Sequence, residues 1–208
     1  MTKMAYLSIL SVMLMLFTVG CNNEIDDDNK VAYISINPDS KYEETFTELG
    51  LGNLFDFNLK LPRADQTWIS IWVEGYRDGK VMEASPLIQL SYGLSPEQVV
   101  EGPMGFGIIN PNGKDPQVFL YSKGTRTGPK PIGEKLFIES GISGWDYGIG
   151  NETVGLESGE EMVLAVYRQN EGSMRAAYDY QDVDSINEMI NEDITVLLIK
   201  IKVEDRDQ

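Results

Sequence analysis

The alternation of apolar and polar side chains along this chain predicts an all-β fold: a single antiparallel β-sandwich with one or two short helices, a β-barrel being the alternative. Two observations carry that reading. Short runs with a period of two recur from Val31 to Val203, separated by Gly, Pro and Asn. Asp78-Gly79 and Asn112-Gly113 are dipeptides that favour the tight turns of antiparallel hairpins.

Taken in order, Phe55, Phe57, Leu59 and Leu61 alternate with Asp56, Asn58 and Lys60, which predicts a half-buried strand ended by Pro62. Thr67 to Tyr76 reads as the next strand, turning at Asp78-Gly79 into Lys80 to Glu83. Leu87 to Tyr92, Met104 to Ile109, Val118 to Ser122 and Glu134 to Glu139 continue the series. Ser158-Gly159 introduces Met162 to Gln169, followed by Ser173 to Tyr178. In the last strand, Ile194 to Val203, one face carries Thr195, Leu197, Ile199, Ile201 and Val203. The other face starts apolar with Ile194, Val196 and Leu198 and then turns to Lys200 and Lys202. That strand is therefore expected to be buried on both sides at its start and wet on one side at its end.

Two short helices are predicted. Ser95-Pro96-Glu97-Gln98 has the order of an N-cap, an N1 proline and a capping-box partner, with Gly102 as a stop. Asp184 is the expected cap of a second helix over Ser185 to Glu192.

Ahead of the strands, Lys3 precedes an apolar block from Ala5 to Val19, broken only by Ser8, Ser11 and Thr18. The block has the length of a signal-peptide core and falls short of the roughly 20 residues that cross a bilayer. It ends in Thr18-Val19-Gly20-Cys21, which resembles the lipobox of bacterial lipoprotein precursors, with Thr18 where leucine is usual. That resemblance implies a signal peptide over residues 1–20, cleavage before Cys21 and lipidation of its thiol. Cys21 is the only cysteine, so no internal disulfide competes for it. Residues 21–30 read as the lipidated cysteine and an acidic spacer, Glu24, Asp26, Asp27 and Asp28 being too polar a run to fold. An acidic run in that place also resembles surface-export signals of some Gram-negative lipoproteins. Residues 31–208 form the predicted domain, which otherwise resembles lipoproteins common in Gram-positive bacteria. The resemblance places the protein on the extracytoplasmic face of the cell membrane, held by a lipid anchor on Cys21.

Composition narrows the chemistry. With 17 basic against 33 acidic side chains the net charge is −16, which repels phosphate backbones and argues against a nucleic-acid partner. The sequence contains no histidine, which removes Ser-His-Asp and Cys-His sites and the usual zinc ligand sets. No cofactor is expected, and no metal: Asp179, Asp182, Asp184 and Glu188 are the densest acids near a loop, but they lack the EF-hand spacing.

Two places carry candidate ligand-binding residues. Trp68 and Trp72 lie four apart on one strand face with Ser70 and Glu74, opposite the core-facing Ile69, Ile71 and Val73. They form either an aromatic platform for sugar rings or a protein partner, or a second packing layer. Ser140 to Leu156 has no strand periodicity and reads as a long loop holding Trp145, Asp146 and Tyr147, suited either to binding or to plugging its own underside. A basic interval with Lys123, Arg126, Lys130 and Lys135 reads as a solvated connection. No catalytic residue is assigned. Glu97 with Glu101, and Asp146 with Glu152, are nominal acid pairs in a chain too rich in acids for either to be specific. The expected function is a membrane-anchored module that binds a protein or a cell-wall glycan. The alternatives are a carboxylate hydrolase of wall polymers and a structural subunit of an envelope complex.

Overall fold

In the computed structural model two antiparallel sheets pack face to face, so the fold is a sandwich and not a closed barrel. The structure describes residues 29–133, 136–138 and 140–206. The signal peptide, Cys21 and the acidic run lie outside them, as do Glu134, Lys135 and Glu139. No helix among the described residues is long and apolar enough to cross a membrane.

The first sheet runs in the order β11 (Val154–Glu157), β1 (Lys30–Ile36), β2 (Gly52–Leu61), β6 (Val100–Ile109), β7 (Gln117–Ser122), β8 (Thr125–Arg126), and β9 (Lys130–Pro131) also pairs with β7. The second runs β10 (Ile142–Tyr147), β12 (Glu161–Asn170), β13 (Thr195–Asp205), β3 (Thr67–Arg77), β4 (Lys80–Val81), and β5 (Ile88–Gly93) also pairs with β3. Helix α1 (Lys41–Glu48) lies on the outside of the first sheet, and α2 (Val183–Glu192) on the outside of the second.

The period of two places the core. Phe55, Phe57, Leu59 and Leu61 of β2, and Met104, Phe106 and Ile108 of β6, point inward against Ile69, Ile71 and Val73 of β3. Leu197, Ile199, Ile201 and Val203 of β13 join them. The expected asymmetry of β13 is present: Val196 and Leu198 are buried under α2, while Lys200 and Lys202 beyond it are half-buried. Asp78 and Gly79 both have positive φ, 51° and 73°, as a tight turn between β3 and β4 requires.

Five expectations are corrected. Ser95 to Gly102 is not a helix, because Val100 onward is recruited as β6 opposite Leu61, leaving Ser95 Oγ to accept only from the Glu97 amide. Ser173 to Tyr178 is not a strand but an irregular segment lying over the second sheet. Helix α2 starts two residues earlier than expected, at Val183, capped by Asp182 and not Asp184, the Asp182 side chain accepting from the Ser185 amide. Ser140 to Leu156 is not a structureless loop, since it contains β10 and β11, the edge strands of the two sheets. Leu136, Phe137 and Ile138, described within the Glu134 to Glu139 run, are not strand either.

Candidate functional site

Helix α2, with Tyr178 and Tyr180 of the segment before it, covers the outer face over β12 and one end of β13, so the uncovered part of that face lies along β3 from Trp68 to Glu74. Trp68, Trp72 and Tyr76 recur every fourth residue and so share the outward face, about 13 Å apart along the strand. All three are half-buried, while Ile69, Ile71 and Val73 between them are fully buried in the core.

Cross-strand register supplies the surroundings. On one side Trp68, Ser70 and Trp72 sit opposite Gly93, Ser91 and Gln89 of β5. Ser70 and Ser91 hydroxyls share a 2.9 Å hydrogen bond, and Gln89 Nε2 donates to Ser91 Oγ at 2.9 Å. On the other side the same residues face Glu204, Lys202 and Lys200 of β13. The Arg206 guanidinium stacks over Trp68 at 4.5 Å, and the Lys200 ammonium stands 5.7 Å from the Trp72 ring centre.

Glu74 organises the middle of the strip. Its carboxylate accepts from Trp72 Nε1 at 2.9 Å, Tyr76 OH at 2.9 Å and Lys200 Nζ at 3.3 Å. Partial burial alone would push its pKa up. The indole, the phenol and the lysine outweigh burial, and the net movement is downward. Glu74 is thus a fixed anion that orients two aromatic rings, and a poor proton donor. Burial, and then the adjacent Glu74 carboxylate, push the Tyr76 phenol up to about 12. Glu204, half-buried on β13, is also moved downward, by Lys202 foremost and by Arg206.

Beyond Glu74 the strip runs into a groove of about 560 Å³ between β3, β13 and α2. Tyr76 and Lys200 form its floor, and Val183, Ile186, Asn187 and Asn191 its helical wall. Val183 is 69% exposed, so the groove has an apolar lip.

The structure separates the candidate residues. Trp68 and Trp72 lie together on the open outer face, whereas Trp145, Asp146 and Tyr147 sit on β10, three inter-strand steps or about 14 Å away. Trp145 and Tyr147 point to the opposite side of the sheet from the two β3 tryptophans, as their pairing with Tyr167 and Ala165 requires. Trp145 is 51% exposed. Tyr147 plugs the interior, its ring edge-on to Phe55 and Phe57, with its hydroxyl donating to Glu43 and accepting from the Asp56 amide. Asp146 accepts from Tyr180 OH at 2.6 Å and lies 3.7 Å from Arg168.

Of the other acids, Asp182 caps α2, Glu188 pairs with Arg175, and Asp179 accepts from the Gln181 amide. Among the described residues no three His, Cys, Asp or Glu side chains converge to hold a metal ion. In the basic interval, Lys130 Nζ donates to the Leu87 carbonyl, while Lys123 and Arg126 are exposed; Lys135 lies outside the described residues. Tyr76 was legible as the third member of the every-fourth-residue series. The α2 wall and the Lys200 and Arg206 partners were not, because they come from distant sequence.

No family model, curated protein or solved structure matches this chain.

Proposed function

We propose that the protein is a lipid-anchored, extracytoplasmic binding module that holds a cell-wall glycan or an envelope protein on the open face of its second sheet. The observation that carries this reading is the half-covered face itself. Two tryptophans stand outside the core on a rigid central strand, each positioned by charged neighbours rather than packed beneath another element. A site on regular strands holds its groups in fixed geometry, which is what recognition by aromatic platforms needs. The membrane tether rests on the lipobox resemblance at Cys21, with two or more acyl chains needed for stable anchorage.

The test uses the full-length chain expressed in a bacterial host and two kinds of variant. Cys21→Ser is expected to appear in the soluble fraction and to lack the acyl mass carried by the parent. The Trp68→Ala/Trp72→Ala double variant is expected to stay membrane-bound but to lose retention on isolated cell envelopes. Unchanged retention by a double variant with a native circular-dichroism spectrum rules out this face as the binding surface.

A further inference from the structure

We infer that the occupant of this face is an uncharged oligosaccharide chain, lying along β3 with one end in the groove against α2. The inference rests on the binding reading above and specifies its ligand class.

Charge is the first argument. The protein carries −16 overall, a field that repels polyanions. Anionic polymers would therefore need unpaired cations on the strip, and the strip has none to offer. Lys200 is shared between Glu74 at 3.3 Å and Glu161 at 4.0 Å. Lys202 and Arg206 both pair with Glu204, at 3.4 Å and 3.3 Å. The same pairs engage the carboxylates Glu74 and Glu204, so a cationic ligand gains little as well. Locally the face is balanced, and balanced charge suits a neutral ligand.

Shape and polarity are the second argument. A pyranose ring presents an apolar C–H face and a rim of hydroxyls. Along β3 the matching surface alternates: indole at Trp68, hydroxyls at Ser70 and Ser91 with the Gln89 amide, indole at Trp72, then carboxylate and phenol at Glu74 and Tyr76. Rings spaced by about 13 Å are spanned by an oligosaccharide and not by a single sugar. Trp72, its Nε1 held by Glu74, offers an apolar ring with a polar edge beside it, while at Trp68 a sugar ring shares the indole with the Arg206 guanidinium stacked on it.

The groove supplies the third argument. Its wall combines apolar Val183 and Ile186 with two asparagines, whose amides both donate and accept as sugar hydroxyls do. Asn191 Nδ2 donates to the Asn187 main-chain carbonyl at 2.8 Å, which fixes the Asn191 side chain on the helical wall. The groove shares Glu74, Tyr76 and Lys200 with the strip, making the two one continuous surface.

The experiment is isothermal titration of detergent-solubilised full-length protein with cellohexaose, xylohexaose and chitohexaose, with polygalacturonate as the anionic comparator. At least one neutral hexaose is expected to bind, with affinity insensitive to added salt. Trp72→Ala is expected to weaken it at least about tenfold. Asn187→Ala, an exposed helix position that leaves the strand untouched, is expected to weaken the hexaose more than the corresponding trisaccharide. Failure of all three neutral hexaoses, preference for polygalacturonate, or binding indifferent to both substitutions overturns the inference. If the neutral hexaoses fail while envelope retention still depends on Trp68 and Trp72, the binding function stands and only its glycan ligand falls. If retention is also indifferent, both fall.

Discussion

At the scale of single residues, the most demanding positions are buried charges. Arg168 and Asp193 are both almost fully buried and paired at 3.0 Å, with Asn170 Nδ2 donating to the second Asp193 oxygen at 3.1 Å. Arg168 also lies 5.0 Å from the Tyr178 ring centre and donates to the Arg175 carbonyl at 3.3 Å. Removing one partner of such a pair strands the other in low dielectric. Asp193→Ala is therefore expected to cost about 3–5 kcal/mol in urea unfolding, whereas Asp193→Asn, which keeps an acceptor, is expected to cost less. Asp56 is the second such residue. The alternation of β2 places it outward, which reads as solvent, yet it is 1% exposed. Asn37, Ser40 and Tyr121 all donate to its carboxylate. Burial, with Asp56 beside it, displaces the Tyr121 phenol strongly upward.

At the scale of elements, α1 explains Asp56. Ser40 caps it, its hydroxyl accepting from the Glu43 amide while donating to Asp56. The capping-box order of Ser40 and Glu43 was present in the sequence, as was the helical spacing of Tyr42 and Phe46, but a helix of eight residues that buries none of them fully carries only a short signal. Beneath it, Phe119 and Tyr121 of β7 lie flat across β6 because Gly107 and Gly105 have no side chains there. Tyr42 and Phe46 of α1 then pack on those rings, at 5.8 Å and 5.7 Å. A Cβ at Gly107 would land on the Phe119 ring. Gly107→Ala is thus expected to lower stability by about 1–3 kcal/mol and to loosen α1, read as faster hydrogen exchange of its amides. The strand β6 also shows why its beginning was missed. Pro103 sits where β7 has already ended at Ser122, leaving only β2 beside it, and a strand edge is where a missing N–H is tolerated.

At the scale of the whole molecule, the two sheets are joined along their margins by tyrosines. Tyr92 of β5 and Ser122 of β7 share a 2.6 Å hydrogen bond across the sandwich, and Tyr147 of β10 reaches the β2 backbone at the opposite margin. Burial pushes the Tyr92 phenol up to about 12, only partly offset by Ser122. A phenol that ionises near 10 when unfolded and near 12 when folded stabilises the fold fully below pH 10, and that contribution is lost as pH rises through 12. Its size is of order 2–3 kcal/mol. Stability measured by denaturant titration is expected to fall between about pH 10 and 12, and Tyr92→Phe is expected to shallow that fall. The binding strip has a direction in this frame. Lys30 pairs with Glu157, and Ser158 Oγ accepts from the Asp205 amide, so the chain enters the sandwich at the Trp68 end of the strip. The groove at α2 lies at the other end.

Period-two patterning was sufficient to read the sandwich class, the inward faces of β2, β3 and β13, and the outward placement of Trp68 and Trp72. Burial of alternate side chains is a local consequence of the pleat, so sequence alone carries it. The separation of Trp145 from that pair, the plugging role of Tyr147, the edge strands β10 and β11, and the helix over Asp56 were decided only by tertiary structure. Strand order and the placement of covering helices depend on contacts between residues far apart in the chain. An outward position is therefore exposed or buried according to a neighbour that the strand's own sequence does not encode.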